Sequence, residues 1–561
     1  KEITENYDKP VVSHEIGQWC VYPNFKEIPK YNGFLMPRNF EIFQDTLQKN
    51  HMGHLAEDFL QASGKLQVLC YKAEIEAALR TPGLAGFQLL DLHDFPGQGT
   101  ALVGILDAFW DQKGYIEPQE FSQFCAPTVL LARMDQRIYT TGQAFFADIE
   151  VSHFAEHSLA DIKPLWFIQG SNGQILAEGS FPPLSIPIGS NIPLGRVHWP
   201  LESAMAPSRY DLVVRLDQSK NSWPFWVYPE GLDLSIETEV LVVSVLEKDT
   251  VDYLNSGGTV FLTIPRRSLS PEKGGSIGLG FSPIFWNTAW TGKQKPHTLG
   301  LLCDPNHPAL NEFPTEFHSN WQWWEIIHRA KAVLMDDLPA SLDPIIRSID
   351  DWFENRRLGL LFEAKIGSGK ILITSIDFTG DLSAFPSLRQ LYYSLIKYME
   401  SPSFQPEITL SIEDLQALFN PPSLLDTAHV IKYDSQMPGH EAELIIDDDP
   451  STFWHTPWGE NSPEYPHDVV IDLGERKTFK GFEIIPRQDE NLNGLISIVY
   501  IYLSNDGEWW GGPVITAKFP FTSEPQILRL PRPRSARFIK LEALEGFSEQ
   551  TFASLAELKI F

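Results

Sequence analysis

The sequence predicts a multidomain chain that combines α/β domains with all-β domains. Three observations lead to that class. The chain has 561 residues, whereas single hydrophobic cores stop growing at about 250 to 300 residues. Two regions alternate nearly all-apolar strands with apolar residues at helical spacing, as α/β layers require. Two other regions consist of short alternating runs separated by turn residues, as β-sandwiches require.

The first α/β region is residues 1–127. Pro10-Val11-Val12-Ser13-His14-Glu15-Ile16-Gly17 is a short apolar run with a polar end. Phe40, Phe43, Leu47, then Leu55, Phe59, Ala62, then Leu66, Leu69, Ile75 and Leu79 follow at helical spacing. Thr81-Pro82-Gly83 stops the helix, and Gly86 to Leu92 reads as a second apolar strand. Strands of this kind are expected to be parallel and buried on both faces. Residues 128–230 change to alternating runs, such as Ala144 to Val151 and Tyr210 to Leu216, and predict an immunoglobulin-like β-sandwich. Residues 231–403 open with strand Val240 to Leu246, helix Asp249 to Leu254 and strand Val260 to Ile264, one βαβ unit. A hairpin at Gly367-Ser368-Gly369 and an amphipathic helix from Leu388 to Met399 close this domain. Residues 404–425 read as a linker, and residues 426–561 as a second β-sandwich.

Composition removes some function classes. With 73 acidic against 44 basic residues the formal charge is −29, which repels a phosphate backbone, so nucleic acid is not an expected partner. No run reaches the roughly 18 to 20 apolar residues of a membrane helix, so membrane insertion is not expected. The opening residues KEITENYDKP have no signal-peptide profile. Cys20, Cys70, Cys125 and Cys303 have no metal-type spacing and form no disulfide framework.

The C-terminal region is the most specific. Ile446-Asp447-Asp448-Asp449-Pro450-Ser451-Thr452-Phe453-Trp454-His455 is followed by Val470 to Gly474, Ile485 to Asp489, Leu503 to Gly507, Ala536 to Leu541 and Ala553 to Leu558. In this order the blocks resemble the discoidin, or coagulation factor type C, fold that includes carbohydrate-binding module family 32. Asp447, Asp449 and Thr452 crowd hard oxygen ligands into one turn, as Ca²⁺ requires. The resemblance implies a structural Ca²⁺ held by the side chains of Asp447 and Thr452, the Asp449 carbonyl and Glu557. Asp448 stands where the family usually has glycine. The resemblance also implies sugar binding in surface loops, with Tyr465, Arg487, Gln488, Trp509, Trp510 and Phe547 as candidates by composition and Trp454 and Arg487 as equally good structural residues.

Glu15 sits at the C-terminal end of its strand, where (β/α)₈ barrels carry catalytic groups. Together with Gly86-Phe87-Gln88-Leu89-Leu90-Asp91-Leu92-His93-Asp94, this stretch resembles strands seven and eight of the barrel of glycoside hydrolase family 2. That resemblance implies a retaining exo-β-glycosidase acting on oligo- or polysaccharides, with Glu15 as nucleophile. His14, Gln18, Trp19, Asp91, His93 and Asp94, together with Gln98, are the residues expected to shape the sugar pocket. The acid/base carboxyl, which a retaining mechanism needs about 5 to 5.5 Å from the nucleophile, would come from preceding polypeptide of the same enzyme. This chain alone is therefore expected to be inactive. A periplasmic or extracellular location goes with that family.

Several motifs carry less. Ile366-Gly367-Ser368-Gly369-Lys370-Ile371 lacks the spacing of a phosphate loop and reads as a hairpin turn. His51 and His54 read as surface residues. Residues 231–403 resemble the flavodoxin-like amidotransferase domains of large galactosidases, but Cys303 lacks the Gly-flanked elbow of a nucleophile. Trp321, Trp323 and Trp324, with Phe285, Trp286 and Trp290, are expected to pack. The rival to the glycosidase is a non-catalytic carbohydrate-binding protein acting through the C-terminal domain, and a weaker third reading is an amidotransferase-like enzyme.

Overall fold

The structure, a computed structural model, describes the chain except residues 1, 7–8, 98–99, 235–237, 266–267, 288–294, 421–422, 460–461, 490 and 549. It is mostly β-sheet and forms two compact units, residues 1–265 with 277–416 and residues 266–276 with 417–561.

In the first unit, β1 (Val11–Ile16) and β2 (Leu84–Leu89) pair in parallel as a two-stranded sheet. The helices Arg38–Lys49 and Ala56–Arg80 lie between them in sequence. Ile16, Phe87 and Leu89 pack with Val68, Tyr71 and Ile75 of the second helix. The expected burial on both faces is not observed, since Val12 is 54% exposed. The helix Ala56–Arg80 packs on the sheet, and among the described residues no third strand pairs with these two.

The next region forms two sheets. One has the order β10 (Gly189–Pro200), β5 (Ala144–His153), β3 (Thr128–Arg133); the other has β4 (Ile138–Thr140), β12 (Ser219–Tyr228), β11 (Ser208–Leu216), β7 (Leu165–Gly170), β8 (Ile175–Ser180). A small pair, β6 (Leu159–Ile162) with β9 (Leu184–Ile186), flanks them. Alternation along β5, β11 and β12 buries Phe145, Tyr210 and Phe225, whose rings stack 4.2 and 5.6 Å apart. Glu76 of the helix Ala56–Arg80 ties this sandwich to the N-terminal region. It is buried, pairs with Lys72 at 2.7 Å and Arg80 at 3.2 Å, and accepts from Trp223 Nε1 and Asn221 Nδ2, each at 2.9 Å. Burial opposes its charge, but these partners outweigh it and hold the carboxyl below its ordinary range.

The α/β region contains the expected βαβ unit: β13 (Leu241–Val243), helix Lys248–Asn255 and β14 (Thr259–Thr263), the strands parallel. The sheet continues through β19 (Gly369–Thr374), parallel to β14, and then antiparallel through β18 (Leu358–Ile366), β17 (Ile346–Asp350) and β15 (Thr298–Cys303), with β16 (Val333–Leu334) on β18. Gly367-Ser368 is the β18–β19 turn, with Gly367 at φ +57°. Helix Pro386–Glu400 closes the domain. Trp323 and Trp286 are buried, whereas Trp324 stays 48% exposed; Trp290 lies outside the described residues. His51 and His54 are exposed.

The linker expected at 404–425 is packed instead. Phe404, Leu410, Leu415 and Leu418 are buried, and residues 412–416 form a helical turn. These apolar side chains cannot remain in water without loss of burial free energy. The boundary also shifts, because Ser268 and Ser270 bond to Asn420 and Leu418 within the second unit.

The second unit is a β-sandwich. One sheet has the order β20 (His429–Tyr433), β22 (His467–Ile485), β25 (Gln526–Gly546), β23 (Ile496–Ser504), β24 (Ile515–Lys518), with β27 (Glu557–Ile560) on β22. The other pairs β21 (Trp454–His455) with β26 (Ser554–Leu555). Trp454, Ile471, Phe482, Val499, Leu541 and Leu558 share the core.

Candidate functional site

The loops after β21 and β22 and those before β23 and β26 carry a cluster of rings and charges in the second unit. Pairing of Trp454 with Leu555 and of His455 with Ser554 fixes the start of the first loop. Thr456 then exchanges two bonds with Ala553 at 3.0 and 2.9 Å. His455 is 4% exposed, stacks on Phe552 at 5.2 Å and meets Trp458 edge-on at 4.9 Å. Burial lowers its pKa, so the ring is neutral at neutral pH. Its Nδ1 donates to the Thr456 carbonyl at 2.5 Å, which gives Nε2 the acceptor lone pair. Arg487 is buried over the Phe453 ring at 4.1 Å and held by both Asp489 oxygens at 2.8 and 2.5 Å and by the Asn493 carbonyl at 3.2 Å. Burial works against the Asp489 charge, but Arg487 outweighs it and keeps the carboxyl below its usual range. Trp458 is 54% exposed. The cluster thus offers a neutral acceptor, fixed N–H donors and an open aromatic face.

Of the sequence candidates here, only Arg487 belongs to this cluster. Trp454 is a core residue whose Nε1 donates to the Ser435 carbonyl at 2.9 Å. Tyr465 bonds to the Phe552 carbonyl, Gln488 to the Ser523 carbonyl, and Phe547 packs on Phe521. Trp509, at 75% exposure, follows β23, so the full length of that strand separates it and Trp510 from Asn493. Sequence reasoning missed His455 and Trp458. The readable signal was His455-Thr456-Pro457-Trp458, a histidine that ends a buried strand and a tryptophan three residues on.

The acidic turn is well ordered. Asp448 adopts φ +59°, a left-handed conformation that suits glycine and that aspartate tolerates. The Asp447 carboxylate accepts from Asp449 N at 3.0 Å and Thr452 Oγ1 at 2.9 Å, and Glu557 Oε1 accepts from Asp449 N at 2.7 Å. Asp447 and Glu557 lie within hydrogen-bonding reach of each other. Burial and the facing carboxylate push Glu557 up to about 10, and burial raises Asp447. The Asp449 side chain turns instead to Ser451, and its carbonyl accepts from Thr452 Oγ1. Among the described residues no three acidic, histidine or cysteine side chains converge. The donors that do converge are two carboxylates, one hydroxyl and one carbonyl, an all-oxygen set that fits a hard cation such as Ca²⁺.

At the end of β1, His14 and Glu15 are exposed, their side chains 3.8 Å apart, and Leu90 N bonds to Ile16 O at 3.0 Å, so the two strand ends are adjacent. Glu15 has φ +55°. His93 lies 2.8 Å from Asp91 and 4.6 Å from the ring of Trp110, which is 60% exposed. Three pocket candidates are structural instead. Trp19 Nε1 donates to Glu74 at 2.9 Å, and Gln18 bridges the Glu15 carbonyl at 2.8 Å and Trp286 Nε1 at 3.0 Å. Asp94 is 3% exposed, paired with Lys113 at 2.6 Å and bonded to Gly104 N; burial pushes its pKa up to about 6. Gln98 lies outside the described residues. Cys303 is buried, which pushes its thiol up to about 12, so no nucleophile is poised there. All four cysteines are free.

Comparison with known families bears on the second unit first: residues 430–558 match the F5/8 type C domain. The C-terminal sandwich is an F5/8 type C domain of the discoidin, or carbohydrate-binding module family 32, type. The six-block resemblance is therefore borne out. Residues 143–229 and 241–420 match two models described as domains of unknown function, DUF8488 and DUF8487. Curated relatives include a galactose oxidase of Gibberella zeae, 36% identical over 129 residues, and a sialidase of Micromonospora viridifaciens, 37% identical over 143 residues. These matches take 23% and 24% of this chain and 19% and 22% of the relatives, so the chain spans about a fifth of their length. Among solved structures, a family 32 carbohydrate-binding module of C. perfringens in complex with galactose is 26% identical with a TM-score of 0.22, covering 24% of this chain and 94% of that one. A second C. perfringens family 32 module, in complex with GalNAc-β-1,3-galactose, is 28% identical with a TM-score of 0.23, covering 25% and 99%. Among the described residues no helix is long and apolar enough to cross a membrane.

Proposed function

We propose that this chain is a carbohydrate-binding protein that acts through its F5/8 type C domain. A sugar ring stacks on Trp458, its hydroxyls donating to His455 Nε2 and accepting from the free N–H groups of Arg487. The observation that carries this reading is the neutral imidazole, fixed guanidinium and open indole on one set of loops, because hydroxyl groups need acceptors and donors together while the C–H face of a sugar needs an aromatic plane. The names of the relatives, a galactose oxidase and a sialidase, support it. Calorimetric titration of the full chain with galactose should give saturable binding, and Trp458→Ala should weaken it at least tenfold, about 1.4 kcal/mol. Equal binding by the variant, or none by the wild type, would overturn the proposal.

A Ca²⁺ held by Asp447, Thr452, Glu557 and the Asp449 carbonyl belongs to the same reading. Its role is to neutralise the buried Glu557 and the half-buried Asp447 and to clamp the first loop of the sandwich to its last strand. A periplasmic or extracellular site of action suits a glycan partner.

The second reading, part of a family 2-type retaining glycosidase with Glu15 as nucleophile, is favoured by the adjacent parallel strand ends that carry Glu15 and Asp91. The exposed Trp110 beside His93 offers the sugar a plane there. On this reading the acid/base lies in preceding polypeptide, so the chain alone should not turn over a nitrophenyl β-galactoside. Turnover that Glu15→Gln abolishes would show a complete site instead.

A further inference from the structure

The mixed sheet of the first unit has three adjacent parallel strands, β13, β14 and β19, and a cleft of about 550 Å³ opens at their carboxyl ends. Open α/β sheets bind small ligands at this position, because the loops leaving neighbouring parallel strands separate there and leave a crevice above the strand ends. Val242 of β13 and Thr263, the last residue of β14, line it. So do Phe378 and Asp381 from the segment after β19, and Arg389 and Tyr392 from the helix Pro386–Glu400.

The lining has a definite chemistry. Arg389 is 7% exposed; one terminal nitrogen donates to the Pro229 carbonyl at 2.5 Å, and its buried Nε has no partner among the described residues. The exposed Asp381 carboxylate is fixed by the Ser383 N–H at 2.9 Å, and the rings of Phe378 and Tyr392 lie 5.4 Å apart at 59°. A guanidinium, a carboxylate, the Tyr392 hydroxyl and two aromatic rings match a ligand that donates, accepts and presents an apolar face; the Thr263 hydroxyl donates to the Val243 carbonyl at 3.3 Å and can only accept. Asp233, a second carboxylate on the cleft, works against an anion, and Arg389 works against a cation.

We propose that this cleft is a second carbohydrate site, for a neutral mono- or disaccharide, built from residues wholly separate from the F5/8 type C domain. The test uses the full chain carrying Trp458→Ala, so that binding in the other domain is suppressed, with lactose and cellobiose as probes in saturation-transfer NMR. Transfer to at least one of the two is expected to persist. Adding Val242→Trp, at a position that is 40% exposed and tolerates bulk, should fill the cleft and weaken that binding at least tenfold. Asp381→Asn, which keeps the acceptor for the Ser383 N–H and removes only the charge, should weaken it without altering the melting profile. No transfer to either sugar in the Trp458→Ala chain would overturn the proposal. Transfer that neither further substitution changes would overturn it as well. Loss of galactose binding by Trp458→Ala alone reports only on the other site, so the two proposals fail separately.

Discussion

Glu557→Gln should destabilise the F5/8 type C domain in millimolar Ca²⁺ yet leave it at least as stable as the wild type in chelator. The reversal follows from the contact between Asp447 and Glu557. Glu557 is buried and Asp447 half-buried, and burial together with the facing Asp447 pushes Glu557 up to about 10, so without a cation the pair holds a proton between its two carboxyls at neutral pH. A bound Ca²⁺ displaces that proton, neutralises both carboxylates and adds mass-action stability of about 2.7 kcal/mol at 100 times its Kd. At roughly 2 to 4 °C per kcal/mol for a domain of this size, chelation should lower the Tm of the wild-type domain by about 5 to 10 °C. The glutamine amide keeps an acceptor for the Asp449 N–H, which Glu557 Oε1 holds at 2.7 Å, and can donate to Asp447 as the protonated Glu557 does, so the chelated variant keeps both bonds. With one ligand charge gone, its gain from Ca²⁺ should shrink to a fraction of the wild-type value. Differential scanning calorimetry of the full chain in excess chelator and in millimolar Ca²⁺ reads both shifts. Identical wild-type Tm values in the two conditions, or an equal loss in the variant under both, would refute the reasoning.

Three further outcomes follow from groups outside the ligand sites. Burial opposes the His467 cation, but Asp434 at 2.7 Å and the Thr551 carbonyl at 2.7 Å outweigh it and raise the pKa above 6.5; the stability it supplies is therefore complete below about pH 6.5 and lost as pH rises through the folded value, and His467→Gln should flatten denaturation midpoints across that window. Glu76→Gln leaves Lys72 and Arg80 facing a neutral partner and should cost the first unit about 3 to 5 kcal/mol in urea unfolding; a loss below 0.5 kcal/mol, on the order of a surface substitution, would show that the network is not the tie between helix and sandwich. Gly104→Ala would set a Cβ 2.2 Å from the carbonyl carbon of His93, and the backbone must move; a loss of about 1 to 3 kcal/mol or more is expected by the same assay.

What the sequence determined by itself was local or periodic. Helical spacing from Phe40 to Leu47 and from Phe59 to Leu79 became the helices Arg38–Lys49 and Ala56–Arg80, because each apolar stripe has one direction in which to be buried. The blocks from Ile446 to Leu558 identified an F5/8 type C domain, since their turn and strand residues must recur in order for that sandwich to close. Tertiary structure decided everything that depended on partners far away in sequence. Asp94 and Trp19 have the composition of pocket residues, but Lys113 and Glu74 hold them, and no spacing rule reveals a partner 19 or 55 residues away. Residues 404–425 have the composition of a linker, but Leu410 and Leu415 found a surface to cover them. His455 and Trp458 were visible as letters. Only the pairing of β21 with β26, together with Arg487 arriving over Phe453, gave the histidine its neutral, acceptor form and left the indole open. A side chain's protonation and access are set by the atoms packed around it, and those are chosen by the fold as a whole.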